Sequence, residues 1–440
     1  MRHLLPRSWS PATGDVRVGG ASLSSLAGRF GTPLLVTDEA HLLARLDAFR
    51  EAFGPATTLV YAGKAFLCGA LLEHLDRAGW WVDVVSAGEM EIVSRAGLDA
   101  GRILMHGNAK PRGELADALA CGVGRIVVDH PGEVDVLAGL AATVGREAPV
   151  LIRLNADVAA VTHEKVKTTG ARAQFGMDLA TAARVVADAA TRAGISLRGV
   201  HIHVGSQIRD LSTFRRAAAA VVSFLEPVRS AFPERVDVDL GGGLPVPYLR
   251  DDATTDVDAY AAAILGGLDE ARAADRLGDH RLFIEPGRSV VATSTVTLYR
   301  VEARKTLPDG TELIAVDGGL SDNPRPSLYG QRYEVLAVSR AGEGPERRFH
   351  VVGRHCETGD IVNEAALLPD STVPGDLVAV PVTGAYAHAM SSRYNGLRRP
   401  AVVYSADGEA REVVRRETLD DLVACDPILS ARPPGSPRHP

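Results

Sequence analysis

The 440-residue sequence predicts an α/β protein in which a (β/α)8 TIM barrel is combined with a C-terminal antiparallel β domain. Eight short apolar segments alternate with stretches of helical spacing up to residue 286, and strand-like segments without intervening helices follow. Continuous apolar strands need cover on both faces, which a closed parallel barrel surrounded by helices provides. An open doubly wound sheet is the alternative architecture.

The predicted barrel strands are short, β-rich segments, the first of which begins at Thr57. Helical spacing separates them, as at Phe66, Ala70 and Leu75. In such barrels the chemistry lies at the C-terminal ends of the strands, so the polar residues that end these segments are the first candidates for a functional site. In chain order the segments are TTLVYA, WVDVVS, RILMHG, RIVVDH, VLIRLN, GVHIHVG, VDVDLGGG and RLFIEP.

The predicted β domain begins where the helices stop, after Arg288. Its segments are VVATSTVTLYRVEA, TELIAVDGG, RRFHVVG, DLVAVPVTGAY and PAVVYSADG. We expect the barrel to span 32–285 and the β domain to combine 1–31 with 286–428, with GDVRVGG near the N-terminus adding a strand to it. The final residues, 429–440, are rich in Pro, Gly and Ser and are expected to form a disordered tail.

Composition excludes several classes of function. The formal net charge of -7 offers no basic surface for nucleic acid. No apolar run approaches the roughly 20 residues that span a bilayer, and the N-terminus lacks a signal-peptide core, so we expect a cytoplasmic protein with no membrane partner. The cysteines Cys68, Cys121, Cys356 and Cys425 are far apart and match no zinc spacing, which indicates reduced thiols.

Lys64 follows the first predicted strand, where its side chain would point into the barrel mouth. Desolvation there would lower the pKa of the ammonium group towards that of a nucleophilic amine. A solvated surface lysine is the alternative interpretation, and Lys64 taken alone favours it. The neighbouring motifs shift the balance towards catalysis.

The triplet Gly241-Gly242-Gly243 ends the seventh strand and leaves backbone N–H groups uncovered by side chains. Barrels commonly bind phosphate beyond strands seven and eight, and Gly287 follows the eighth strand. A simple tight turn is the alternative. The pattern favours a phosphate site.

Glu285 ends the eighth strand, where a buried carboxylate could pair with a pyridinium nitrogen and keep the ring an effective electron sink. An ion pair with Arg288 is the alternative. His203 could stack on such a ring, or it could be a hydrogen-bonded core histidine. Because His201 and His203 share one strand face, they could also begin a metal site. No second cluster of metal ligands is evident in the sequence, so a metal-dependent barrel hydrolase stays a minor alternative.

Taken in order, these residues resemble the fold-type III, alanine-racemase-like family of pyridoxal-phosphate decarboxylases. The resemblance extends from about Gly31 to Cys425 and includes the branch that decarboxylates meso-2,6-diaminopimelate to L-lysine and CO2. Its motifs are YAGKAFL, DVVSAGE, HGNAK, HIHVGSQI, DLGGGL, EPGR, DNPRPSLYG, HCETGD and GAYAHAMSSRYN.

The resemblance implies a carboxy-lyase that uses pyridoxal 5'-phosphate and forms homodimers with shared active sites. Lys64 would bind the cofactor aldehyde as an imine, and Cys356 of the partner subunit would be the proton donor. The implied cofactor-binding residues are Lys64, Asp83, His203, Ser206, Gly241, Gly242, Gly243, Glu285, Gly287, Arg288 and Tyr386.

Substrate selection would depend on groups that grip the distal carboxylate of diaminopimelate, which ornithine and arginine lack. Arginine suits this task because its planar donors can bind a carboxylate bidentately. A relative in the same family that acts on another amino acid is the main alternative. The implied substrate-binding residues are Arg288, Arg325, Tyr329, Glu357 and Tyr386.

Overall fold

The structure is a computed structural model that describes residues 1–12, 15–156, 174–273 and 277–431. These residues form two compact units. The barrel unit comprises 43–246 and 253–290, and the β unit comprises 1–42, 247–252 and the residues from 291 onward.

Strands and helices alternate through the middle of the chain, and strands dominate its last third. The strands are β1 (Ser10–Ala12), β2 (Asp15–Val18), β3 (Ala21–Ser22), β4 (Leu34–Asp38), β5 (Thr58–Ala62), β6 (Trp81–Val84), β7 (Ile103–Met105), β8 (Arg125–Val128), β9 (Ala148–Leu154), β10 (Ile195–Ile202), β11 (Val236–Asp239), β12 (His280–Ile284), β13 (Thr295–Thr306), β14 (Glu312–Val316), β15 (Leu336–Ala337), β16 (Glu346–Val352), β17 (Ile361–Pro369), β18 (Leu377–Pro381), β19 (Ala401–Ala406) and β20 (Glu409–Val414). The helices are α1 (Leu23–Phe30), α2 (Glu39–Phe53), α3 (Gly69–Arg77), α4 (Ala87–Arg95), α5 (Arg112–Cys121), α6 (Gly132–Val144), α7 (Leu179–Ala189), α8 (Ser212–Val228), α9 (Val257–Ala273), α10 (Arg288–Val291), α11 (Arg325–Tyr329) and α12 (Leu419–Val423).

The eight strands β5 to β12 close into a parallel barrel in sequence order, with β12 beside β5. Each of the eight predicted segments overlaps one of these strands, so the predicted fold class is confirmed and the open sheet is excluded. Apolar side chains fill the barrel, because strands covered on both faces bury residues on each. Its interior cluster consists of Val60, Leu104, Val127, Leu151 and Phe283.

The β unit contains a nine-stranded sheet in which most neighbours are antiparallel. Two pairings, β14 with β16 and β4 with β19, are parallel. Strand β4 falls within the predicted barrel range of 32–285, yet it pairs with β13 and β19 of this sheet. A five-residue apolar strand carries no mark of its partner, which explains the difference. Strand β2 does form, but in a separate three-stranded sheet with β1 and β3.

The core of the β unit joins residues far apart in the chain, such as Leu23, Val36, Val296 and Val403. No helix in the described residues is long and apolar enough to cross a membrane. All four cysteines are free thiols, and Cys68 alone of them is buried. The segment THEKVKTTG at 162–170, whose sequence raises the question of a lid, lies outside the described residues. Most of the predicted tail also lies outside them, so the tail boundary stays a prediction.

Candidate active site

Lys64 lies at the barrel mouth in a short 3-10 turn, Gly63–Ala65, directly after β5. Its Nζ is 2.6 Å from Oδ2 of Asp83, a fully buried residue of β6. Parallel pairing of Ala62 with Asp83 brings the two ends together. The Lys64 side chain is 41% exposed in this chain, and its ammonium group is held by the ion pair with Asp83. The lowered pKa of this amine stays a prediction.

The triglycine turn is shaped by contacts that no side chain would tolerate. Gly241 and Gly243 have positive φ values of 64° and 126°. A Cβ on Gly242 would lie 2.2 Å from the carbonyl oxygen of Glu285, and one on Gly243 would lie 2.6 Å from that of Gly205. Each overlap is with backbone, which cannot rotate away. The turn therefore presents bare backbone at the strand ends, as an anion cradle requires.

Glu285 is buried directly after β12, beside two histidines. Its Oε1 lies 2.7 Å from Nε2 of His106, and its Oε2 lies 3.8 Å from Nε2 of His201. Burial alone would raise the pKa of Glu285, but His106 and His201 outweigh it and hold that pKa well below its usual range. Glu285 therefore stays ionised in a buried site.

Asp239 ends β11 and is affected by the same arrangement. Burial, followed by the negative charge of Glu285, raises its pKa well above the usual range. Its Oδ1 accepts the backbone N–H of Gly241 at 2.9 Å. Asp239 thus connects the triglycine turn with the buried carboxylate. Burial also lowers the pKa of His201 to about 3, so that imidazole is neutral.

His203 follows β10 and faces the triglycine turn, where its Nδ1 accepts the N–H of Gly242 at 3.3 Å. Burial and then the charges of Lys64 and Arg153 lower its pKa well below the usual value. A neutral imidazole results, held by a hydrogen bond along its edge.

The remaining predicted barrel residues lie around the same mouth. Arg288 Nη2 donates to Oγ of Ser206 at 3.1 Å. A Cβ on Gly287 would lie 2.8 Å from that of Ala62, so the chain passes close to β5 there. Arg288 is buried and forms no ion pair with Glu285 among the described residues, which excludes the alternative interpretation of Glu285 within that part of the chain.

Two buried residues near the mouth, Asp239 and Arg153, were missed by sequence reasoning, and His106 was expected only as a strand end with no assigned role. Lys110 places His106, since its Nζ donates to the carbonyl oxygens of Gly107 and Val127 at 2.5 and 2.8 Å. Nζ also forms an ion pair at 2.9 Å with Glu133. The HGNAK motif was the available signal, because a lysine four residues after a strand-end histidine can fold back on that turn.

The β unit collects a second set of predicted residues around Arg325, the first residue of α11. Arg325 is only 5% exposed, and within the described part of the chain it forms no ion pair. Its guanidinium lies 5.3 Å from the ring centre of Tyr329, 5.6 Å from that of Tyr386 and 5.8 Å from that of Tyr248. A buried cation boxed by aromatic rings is a ready-made site for an anion.

Cys356 and Glu357 are exposed on the loop that follows β16. Asp360 fixes this loop: its Oδ2 accepts the backbone N–H and Nδ1 of His355 at 2.9 and 2.6 Å. The N–H of Cys356 donates to Oδ1 of Asn395 at 3.1 Å. The exposed residues Cys356 and Glu357 therefore lie on a loop that is held by hydrogen bonds on both sides.

The groups His106, His201, Asp239 and Glu285 form the cluster of potential metal ligands that was not evident from sequence. They come from four different strand ends, which only barrel closure brings together. Their ligand atoms spread over up to 4.8 Å, whereas ligands about 2.0–2.2 Å from a zinc ion lie no more than about 4.4 Å apart. The geometry fits a hydrogen-bonded carboxylate better than a metal centre.

A buried ionised carboxylate, a bare glycine turn and a lysine lie at one barrel mouth, and the family model identifies the chain as one of the pyridoxal-dependent decarboxylases. Residues 39–292 match the family model described as the pyridoxal binding domain of pyridoxal-dependent decarboxylases. The cofactor of the class is pyridoxal phosphate.

Individual relatives narrow the class. The chain is 44% identical to diaminopimelate decarboxylase of Actinosynnema pretiosum subsp. auranticum, over 93% of this chain and 92% of the relative. It is 38% identical to the Bacillus subtilis protein of that name, over 94% and 95% of the two chains. A crystal structure of the M. jannaschii diaminopimelate decarboxylase with L-lysine is 29% identical, with a TM-score of 0.89 over 95% of this chain and 97% of that one. The chain belongs to the diaminopimelate decarboxylase family.

Proposed function

We propose that this protein decarboxylates meso-2,6-diaminopimelate to L-lysine and CO2, with pyridoxal 5'-phosphate as cofactor. The observation that carries the substrate assignment is Arg325. A buried guanidinium that forms no ion pair with the described residues gains a partner when a substrate carboxylate enters. Diaminopimelate keeps its distal carboxylate through the reaction, whereas ornithine and arginine have none.

The barrel mouth fits the cofactor on three counts. Gly241, Gly242 and Gly243 form a cradle that a Cβ would fill, which suits a phosphate group. Glu285 is an ionised carboxylate held in a buried site, which suits a protonated pyridine nitrogen. Lys64 offers an amine open to solvent at the same mouth. Pyridoxal phosphate supplies an aldehyde conjugated to a ring that accepts electrons.

Each barrel residue then has a distinct task. Lys64 would provide the amine for covalent attachment of the cofactor. Glu285 would pair with the protonated ring nitrogen, because its own charge is stabilised by His106. His203 would lie against the ring. Asp83 orients the Lys64 amine before attachment.

Cys356 and Glu357 complete the reaction from the β unit. The Cys356 thiol donates a proton to the carbon that lost CO2, and the resulting thiolate takes a proton from solvent. Glu357 accepts the distal amino group of the substrate, while Arg288, Arg325, Tyr329 and Tyr386 contribute to substrate binding. We propose that this loop serves the partner subunit of a homodimer, and that the protein acts in the cytoplasm.

The proposal is tested with the pyridoxal-phosphate-loaded protein and four substrates offered separately: meso-diaminopimelate, ornithine, lysine and arginine. We expect CO2 release from meso-diaminopimelate alone at a substantial rate. Faster release from ornithine or arginine would instead identify a relative that acts on another amino acid. Mixing the impaired variants Lys64→Ala and Cys356→Ala tests the shared site, since hybrid dimers restore about a quarter of the activity. No recovery on mixing would contradict the shared site.

A further inference from the structure

We propose that Tyr333 is a specificity-determining positioning residue, which aims Arg325 at the distal carboxylate without touching the substrate. This inference rests on the proposed function. It concerns a tyrosine outside the family motifs quoted above, just before β15. The reasons lie in the surroundings of the Arg325 guanidinium.

The first reason is the hydrogen bond that Arg325 makes. Its Nε donates to the hydroxyl oxygen of Tyr333 at 3.1 Å, and both side chains are buried. Within the described residues, the terminal nitrogens Nη1 and Nη2 donate to no oxygen. A carboxylate bound end-on can therefore take both terminal N–H groups at once, which is the strong bidentate geometry of arginine.

The second reason is the charge of the partner. Buried arginines are usually paired with carboxylates, which would neutralise the charge before a substrate arrived. Tyr333 satisfies Nε with a neutral hydroxyl and leaves the positive charge of Arg325 uncompensated. The substrate carboxylate can then provide the missing counter-charge.

The third reason is that the side chain of Tyr333 is held in place by its neighbours. It is 0% exposed, its ring meets that of Tyr248 edge-on at 5.1 Å, and its carbonyl oxygen accepts Nδ2 of Asn363 at 2.6 Å. Tyr248 also lies against the Arg325 guanidinium. The two tyrosines thus restrict the tilt of the guanidinium, and orientation gained in advance strengthens binding.

The experiment compares two ligands that differ only in the carboxylate. L-lysine retains it and cadaverine lacks it, so the inhibition constants of both are measured against meso-diaminopimelate turnover. In Tyr333→Phe we expect L-lysine to bind about 10-fold more weakly, because a hydrogen bond to a charged group is lost, while cadaverine changes less than about 2-fold. The KM for meso-diaminopimelate rises with little change in kcat.

Tyr260→Phe is the matched control, since it also removes one fully buried hydroxyl, and that hydroxyl has no hydrogen-bond partner in the described residues. It should change neither inhibition constant. Equal weakening of L-lysine and cadaverine in Tyr333→Phe, or no weakening, would overturn the inference. If the unmodified protein binds cadaverine as tightly as L-lysine, the proposed function fails instead, whatever Tyr333 does.

Discussion

The barrel mouth and the surroundings of Arg325 differ in the chemical groups that they offer to a ligand. The barrel mouth relies on backbone and buried carboxyl groups, as at Gly242 and Glu285, whose positions are set by strand ends. The Arg325 site relies on side chains, a guanidinium among tyrosine rings. A site built from backbone suits a cofactor that many enzymes share. A site built from side chains suits substrate selection, because side chains can change between relatives without disturbing a sheet. Changes in the barrel should therefore affect the cofactor, and changes near Arg325 should affect substrate choice.

The largest effect is expected for Lys64→Ala, which removes the only attachment we propose for the cofactor. Turnover should be abolished, because no other amine replaces the covalent link. Borohydride reduction of the loaded unmodified protein, followed by peptide mass analysis, should label Lys64. A label on another lysine, or none, would contradict the assignment of the cofactor to Lys64 at the barrel mouth.

Cys356→Ala should slow L-lysine formation by about 100-fold, since a positioned general acid contributes at least that much. Cofactor absorbance and affinity should not change, because the barrel mouth is untouched. Loss of the cofactor spectrum in this variant would show that Cys356 also helps to hold the cofactor. Cys121→Ser, at an exposed cysteine, is the control and should retain full activity.

Gly242→Ala should weaken cofactor binding by about 10-fold, because the new Cβ would lie 2.2 Å from a backbone oxygen and the turn must shift. The preference for L-lysine over cadaverine should stay as it is. Titration of the cofactor-free protein with pyridoxal phosphate measures the first quantity. Gly139→Ala in α6, where a Cβ meets nothing within 4 Å, is the matched control and should leave affinity unchanged.

The smallest effect is expected for Asp360→Asn, which weakens the hydrogen bonds from His355 that hold the Cys356 loop. Turnover should fall about 5-fold while cofactor affinity stays constant, because one strong hydrogen bond to His355 is lost. Asp38→Asn is the control, since Asp38 is also buried and accepts hydrogen bonds from Ser8 and His41. Similar stability losses in both variants, with slower turnover in Asp360→Asn alone, would support a role of Asp360 in positioning the Cys356 loop. Equal turnover in the two would contradict it.

Sequence patterns were sufficient for the barrel because its strands are apolar runs with a regular period. They were insufficient for β4, whose five buried residues pair in the other unit. They do not determine how exposed Lys64 is, since exposure depends on neighbours and not on the strand that precedes it. The motifs placed Glu285 at a strand end, but not His106 and His201 beside it.

By itself, the sequence determined the order of strands, the glycine turn and the motifs that carry the family resemblance, because these are local properties of the chain. Only the tertiary structure decided that the pKa of Glu285 is lowered while that of Asp239 is raised, and that Tyr333 bonds to Arg325. The physical reason is that charge and orientation depend on burial and on partners distant in sequence. Such partners meet only after the barrel closes and the sheet of the β unit forms.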